Sequence, residues 1–283
     1  MNPVLANILD LLDLERIEQN LYLGQNHDTE HVFGDQVLAQ SIIAASRTVQ
    51  EAHALHSMHA YFLRAGDWMA PILYEVDPIR DGRSFSTRRV VAIQHGRAIF
   101  NLSCSWHRRE SGYEHTLPMP NVLPPECLRN DLELYREVAK QRPEVTRYMF
   151  RFEAIDSRQV ENLLMSNEEA HPPHKHTWLK TVAPLPDRPG LHEAMLAYMS
   201  DLDFMSTSML PHGGRLIRDQ IYGASLDHAL WFHRPVQADE WLLFAKSSPN
   251  ARGSRGFVRG HFFNRDGELV ATAAQECLIR KVA

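Results

Sequence analysis

Asp201 lies in a stretch, Leu191 to Met209, whose apolar residues Leu191, Met195, Tyr198, Leu202, Met205 and Met209 recur at steps of four and three. That spacing marks one face of an α-helix. Pro189-Gly190 precedes it and Pro211-His212-Gly213-Gly214 follows, so the pattern predicts a helix over 191–209. At ~100° per residue, Asp201 falls roughly 80° from the centre of the stripe, at the edge of the buried face. Asp203 lies on the opposite flank, farther away. Two readings stay open for Asp201. It is either a solvated bystander, or a carboxylate at the edge of the buried face, half under whatever the helix packs on.

Other residues with chemical capacity form weaker patterns. His53, His56 and His59 are three apart at the start of a predicted strand, where alternation sends neighbours to opposite faces, so they do not converge as metal ligands. His56 reads as structural, and His171-Pro172-Pro173-His174-Lys175-His176 as a polar loop. No Gly-x-Ser-x-Gly elbow occurs, which argues against a serine hydrolase. Cys104, Cys127 and Cys277 are scattered and lack flanking motifs, which argues for a reducing compartment and against a disulfide framework. Arg64, Arg88, Arg255 and Arg259 suit phosphate by geometry, and suit ion pairs on a strand surface equally. No metal and no cofactor is expected.

The elements that must position Asp201 belong to a globular chain. Its 283 residues are 44% hydrophobic and 23% charged. A net charge of −5 gives no reason to expect a nucleic-acid partner. No apolar run approaches the ~18 residues needed to cross a bilayer. The N-terminus carries acids instead of a basic lead and does not read as a signal peptide, and Arg280-Lys281-Val282-Ala283 is not a Ser-Lys-Leu address. The expected location is the cytoplasm.

Along the chain, a short amphipathic helix (Val4 to Leu12) leads to a strand over Arg16–Gln25. A helix after Phe33-Gly34-Asp35-Gln36 carries a stripe at Leu38, Ile42, Ala45 and Val49. Strand-like runs follow at Leu55–Arg64, Ile72–Arg80, Ser84–Gln94 and Ala98–Trp106, with turn signals at Ala65-Gly66-Asp67, Asp81-Gly82 and His95-Gly96. From Glu110 to Pro143 the rhythm gives way to a proline-rich, charged stretch. The second half then repeats the first. Strands at Phe152–Glu161 and Thr177–Val182 precede the Asp201 helix, and strands at Ser225–Arg234, Trp241–Ser247, Gly256–Asn264 and Leu269–Arg280 follow it. Phe62-Leu63-Arg64 matches Phe232-His233-Arg234 at a separation of 170, while Arg88 matches Arg259, and His95-Gly96 matches Asp266-Gly267, at 171. These observations imply an α+β chain made by duplication. Its N-terminal unit is expected over 1–112, a linker with a short helix over 113–148, and a C-terminal unit over 149–283. Side-by-side pairing of the two sheets would cover edges that each half leaves exposed, and the edges that remain point to a homo-oligomer.

The block Ser225-Leu226-Asp227-His228-Ala229-Leu230-Trp231-Phe232-His233-Arg234-Pro235 is the most distinctive in the chain. With Tyr198-Met199-Ser200-Asp201-Leu202 upstream and Gly256-Phe257-Val258-Arg259-Gly260 downstream, it resembles the type II acyl-CoA thioesterases. Val32-Phe33-Gly34-Asp35-Gln36, the run from His56 to Arg64 and the run from Asp81 to Arg88 extend the likeness over almost the whole chain. The resemblance implies a double hot-dog fold, two long helices each wrapped by an antiparallel sheet, and hydrolysis of fatty acyl-CoA. It also implies three residues that orient and activate water: Asp201, Ser225 where many members carry threonine, and Gln275 in the last strand. A thioester carbonyl is already electrophilic, so a positioned water and a carboxylate base suffice. Two rivals fit the same fold: a hot-dog enoyl-CoA hydratase, which typically wants an Asp–His pair, and a non-catalytic acyl-CoA binding protein.

Overall fold

The computed structural model describes residues 2–26, 32–50, 52–140, 143–161, 163, 169–213 and 221–281. Helix α1 (Pro3–Leu11) begins at Asn2, whose Oδ1 accepts from the Val4 and Leu5 amides at 2.9 and 3.3 Å, with Pro3 in the first turn. The strand expected over 16–25 is a hairpin, β1 (Glu15–Glu18) and β2 (Leu21–Gly24). Asn20 turns it with φ of 61°, a left-handed backbone that asparagine tolerates. Helix α2 (Gly34–Ser46) is buried from Asp35 through Ala45. Four strands follow: β3 (His53–Phe62), β4 (Ile72–Asp81), β5 (Phe85–Gln94) and β6 (Arg97–Arg108).

Helices α3 (Asp131–Ala139) and α4 (Phe150–Glu153) lead to β7 (Ile155–Gln159) and β8 (His174–Thr181), then α5 (Leu191–Ser200). The chain ends through β9 (Ile221–Ser225), β10 (Asp227–Phe232), β11 (Leu242–Arg252), β12 (Arg255–Phe263) and β13 (Leu269–Lys281). The thirteen strands among the described residues form one antiparallel sheet in the order β1-β2-β4-β5-β6-β3-β10-β13-β12-β11-β8-β7, with β9 also on β13. The seam between the halves is β3 against β10, where His59 pairs with Ala229. Those two residues are separated by the repeat distance of 170. A residue paired with its own counterpart lies on a twofold axis, so the register places that axis through the seam.

Inside the sheet α2 and α5 run antiparallel and in contact. At one end a Cβ on Gly190 would stand 2.6 Å from Ser46 Oγ, and at the other Gly34 lies beside Asp201, where a Cβ would stand 2.6 Å from the Phe62 ring. Such approach needs glycine. One apolar cluster joins both helices to the inner sheet face, with Tyr74, Phe100, Tyr198, Phe204, Phe244 and Phe262 fully buried within it. Burying each such side chain stabilises by about 1.5–3 kcal/mol. No helix among the described residues is long and apolar enough to cross a membrane.

Several expectations need correction. Helix α5 stops at Ser200, not at residue 209: Asp203 turns left-handed with φ of 56°, and a 3₁₀ helix takes over from Met205 to His212. Met209 and Leu210 remain buried in that 3₁₀ segment, which is why the apolar spacing ran on past the true end. The stretch expected as a strand from Phe152 contains α4 first. His174 to His176 already belongs to β8, so the predicted loop is shorter. Arg88 is buried and Arg259 exposed. Arg88 pairs with Cys104 as Val258 pairs with Gln275, so the spatial counterpart of Arg88 is Val258. A slip of one residue in a strand reverses the face.

Candidate active site

Asp201 is the residue that caps the C-terminus of α5. Its carboxylate therefore sits at the negative end of one helix and beside the N-terminus of the antiparallel helix α2. The side chain is 9% exposed.

Ser225 is brought to it by a β-bulge. Ser225 pairs with Cys277 and Ala229 with Ala274, so the first strand spends one residue more than β13 between these points. The expected single strand over 225–234 is thus two, broken at Leu226. The Asp227 carboxylate accepts from the Glu276 amide at 2.6 Å across the break. A bulge re-aims a side chain locally. Here the Ser225 hydroxyl donates to Asp201 Oδ1 at 3.4 Å and accepts from Gln275 Nε2 at 2.9 Å. The Gln275 amide also helps to hold the Asp201 carboxyl down, against the larger rise from burial. The three residues named from sequence, 24 and 50 positions apart at their closest pairings, meet at one point.

Sequence reasoning missed the charged group behind them. Arg151, on α4, donates through Nε and Nη2 to Asp35 Oδ2 at 2.9 and 2.7 Å, and its Nη2 is 3.7 Å from Asp201 Oδ2. The guanidinium also lies over the Phe33 ring, 5.1 Å from its centroid. Burial disfavours the Arg151 charge, but the Asp35 and Asp201 carboxylates outweigh it and hold the group protonated beyond its usual range. Burial pushes Asp201 up to about 6, against the pull of Arg151, and Asp35 adds to the rise. A base with that value is ionised at neutral pH and basic enough to take a proton.

His228 is the second omission. Its Nδ1 is 2.5 Å from Gln275 Oε1 and its Nε2 is 2.8 Å from Ser200 Oγ. Burial pulls the imidazole down to about 4, while the Gln275 bond opposes this, so the ring is neutral. The three histidines spaced three apart are spent elsewhere: His53 faces Ser86, His56 faces Ser105, and His59 meets the Trp231 ring edge-on. Arg88, a candidate for phosphate, is fully engaged with Thr48, Arg80, Thr87 and Asp81. Arg255 pairs with Glu276, and Arg64 donates to the Ala98 carbonyl.

The first half repeats the architecture without these groups. It has its own bulge, between Leu55 and Ser57, and Met58 pairs with Cys104 as His228 stands opposite Gln275. At the repeat distance the counterparts of Ser225, His228 and Gln275 are Leu55, Met58 and Cys104, all buried. The residue capping α2 is Arg47, where α5 has Asp201.

Two family models match the chain, one described as Acyl-CoA thioesterase over residues 150–278, the other as Acyl-CoA thioesterase N-terminal domain over residues 24–107. The chain is 37% identical to "Acyl-CoA thioesterase 2" of Haemophilus influenzae, with 99% of each sequence covered. It is 36% identical to "Acyl-coenzyme A thioesterase 8" of Mus musculus, over 96% of this chain and 88% of that one. Among solved structures, an acyl-CoA thioesterase II, TesB2, from Mycobacterium marinum superposes with a TM-score of 0.82 at 39% identity, covering 98% of this chain and 99% of that one.

Proposed function

The chain belongs to the type II acyl-CoA thioesterases, with their double hot-dog fold, and hydrolyses acyl-CoA thioesters; we propose that Asp201, Ser225 and Gln275 hold and activate the attacking water. The observation that carries this is the Ser225 hydroxyl, which lies between the Asp201 carboxylate at 3.4 Å and the Gln275 amide at 2.9 Å. An ionised carboxylate only accepts, an amide nitrogen only donates and a hydroxyl does both, so the set fixes both hydrogens and a lone pair of one water.

In the reaction, Asp201 takes one proton from that water as its oxygen attacks the thioester carbonyl carbon. The carbonyl electrons collapse back from the tetrahedral intermediate, the C–S bond breaks, and the departing CoA sulfur takes up the proton that Asp201 removed, which returns the carboxylate. Products are a carboxylic acid and free CoA. General-base help of this kind is worth about 10²–10⁴-fold. Asp201→Asn keeps the shape and loses the base. Thiol release from acyl-CoA should show kcat lowered by about 10²-fold or more with KM little moved. Parent-level kcat in that variant overturns the assignment. Ser225→Thr retains the hydroxyl and should retain activity, whereas Gln275→Ala should leave the water unoriented.

The finer features follow in the same reading. The acyl group is a fatty chain, and the work is done in the cytoplasm, in keeping with free thiols at Cys104, Cys127 and Cys277. The division at 112 and 148 separates two units that each own a central helix. Strands β1 and β7 end the sheet, and covering such edges favours a homo-oligomer. Light scattering that returns a 32.5 kDa particle at micromolar concentration refutes it.

A further inference from the structure

We infer that His228 is a positioning residue that fixes which end of the Gln275 amide faces Asp201, through the buried hydrogen-bond chain Ser200–His228–Gln275. The inference rests on the role proposed above for Gln275. An amide's oxygen and nitrogen ends are nearly the same shape, so space does not choose between them; partners do. The nitrogen end faces Ser225 at 2.9 Å and the carboxylate of Asp201. Turning the amide over would set its oxygen against that negative charge. With nitrogen toward the site, Oε1 faces His228 Nδ1 at 2.5 Å, and Nδ1 must carry a proton. A neutral imidazole protonated on Nδ1 has an accepting Nε2. The Ser200 hydroxyl, 2.8 Å from Nε2, supplies the hydrogen.

The opposite assignment fails at the closest contact. Ser200 Oγ also lies 2.7 Å from the Ala197 carbonyl, which can only accept, so the two partners compete for one hydrogen. Spending it on Ala197 forces Nε2 to donate and Nδ1 to accept, and two lone pairs then meet at the 2.5 Å contact; the chain holds when the hydrogen goes to Nε2 and the Ser200–Ala197 contact is left without it. Every hydrogen bond in the consistent chain therefore points the same way: Ser200 to His228, His228 to Gln275, Gln275 to Ser225, and Ser225 to Asp201. The ring has no freedom to rearrange, since His228, Ser200 and Gln275 are all buried and Phe204 packs edge-on against the imidazole at 5.9 Å. Burial also holds it neutral, so it is not shifted to a doubly protonated state near neutrality.

A need of the fold does not explain this histidine. In the first half the same pair of facing positions holds Met58 and Cys104, on the same kind of strand beside the same kind of bulge. The fold accepts a thioether and a thiol there. The half that bears Asp201 has a donor and an amide instead.

The test separates orientation from packing. His228→Asn keeps a donor at the Nδ1 position, while His228→Gln keeps one only at the Nε2 position and abandons the Gln275 bond. His228→Asn should keep kcat within about threefold of the parent, and His228→Gln and His228→Leu should lower it between about 10- and 100-fold, with KM within about twofold. In a Gln275→Ala background, His228→Leu should cost no more than about twofold further, because the two act as one unit. Additive losses, or equal losses in the Asn and Gln variants, overturn the inference. A direct readout needs no variant that folds poorly: the ring ¹⁵N spectrum of the intact protein at neutral pH should show His228 protonated on Nδ1 and bare on Nε2. The reverse tautomer overturns it. If Asp201→Asn and Gln275→Ala keep the parent rate, it is the water-activating role that has failed, and the tautomer still reports separately on the chain.

Discussion

Asp201 is charged at neutral pH in a place that resists the charge. Burial pushes its carboxyl up to about 6, and in the proposed role of base it works only when ionised. kcat/KM should therefore rise with pH along a limb centred near 6 and level off above it. The same displacement acts on stability with a definite sign. The folded value lies above the ordinary 3.8, so between about pH 4 and 6 the folded protein holds a proton that the unfolded chain has lost. Stability attributable to this group falls as pH rises through that window. Asp201→Asn does not ionise, and at pH 7 it should unfold later than the parent, by about 1–3 kcal/mol in denaturant titrations, while being nearly inactive. Arg151 works in the other direction. Arg151→Met should move the kcat/KM limb above 6 and leave Asp35 buried without its partner, costing about 3–5 kcal/mol. An unmoved limb would show that Arg151 serves only Asp35.

The end of α5 is where sequence and structure part, and the cause lies in its neighbours. Apolar residues at steps of three and four continue through Met209, yet the helix closes at Ser200 because Lys175 on β8 holds the left-handed Asp203 together with Ser206. No local spacing reveals that clamp, since its partners are 28 and 31 residues apart. Lys175→Met should cost about 1–3 kcal/mol by leaving the partly buried Asp203 carboxylate without its principal partner, and Lys175→Met with Asp203→Leu should recover much of it. Chemical denaturation of the two variants decides this. The strands were legible because alternation and turn residues are local. Arg151 was not, because Asp35 stands 116 residues away and the stretch holding Arg151 reads as the approach to a strand. His228 left a usable trace: with Leu230 and Phe232 it occupies the inward positions of β10, and a polar residue on an apolar face needs a buried partner. Gln275 leaves the same trace between Ala273 and Cys277 on β13.

At the scale of the molecule, the two halves are joined by the β3–β10 ladder, the contact of α2 with α5, and the Arg151–Asp35 pair. Residues 1–112 and 149–283 produced separately should each lack a cooperative thermal transition, because β3 or β10 becomes an open edge and a fully buried helix loses its cover. Mixing them should restore structure and thiol release together. That both halves sit on one chain has a further consequence, in the language of dilution. A covalent tether holds two modules at an effective concentration in the millimolar range, whatever the concentration in the tube. Asp35 comes from one half and Asp201, Ser225 and Gln275 from the other, so the carboxylate's electrostatic surroundings are assembled within a single molecule. Turnover per chain should then stay constant down to picomolar enzyme, even where larger assemblies come apart. A single cut in the exposed run from Glu110 to Leu117 would turn the same protein into one whose specific activity decays as it is diluted.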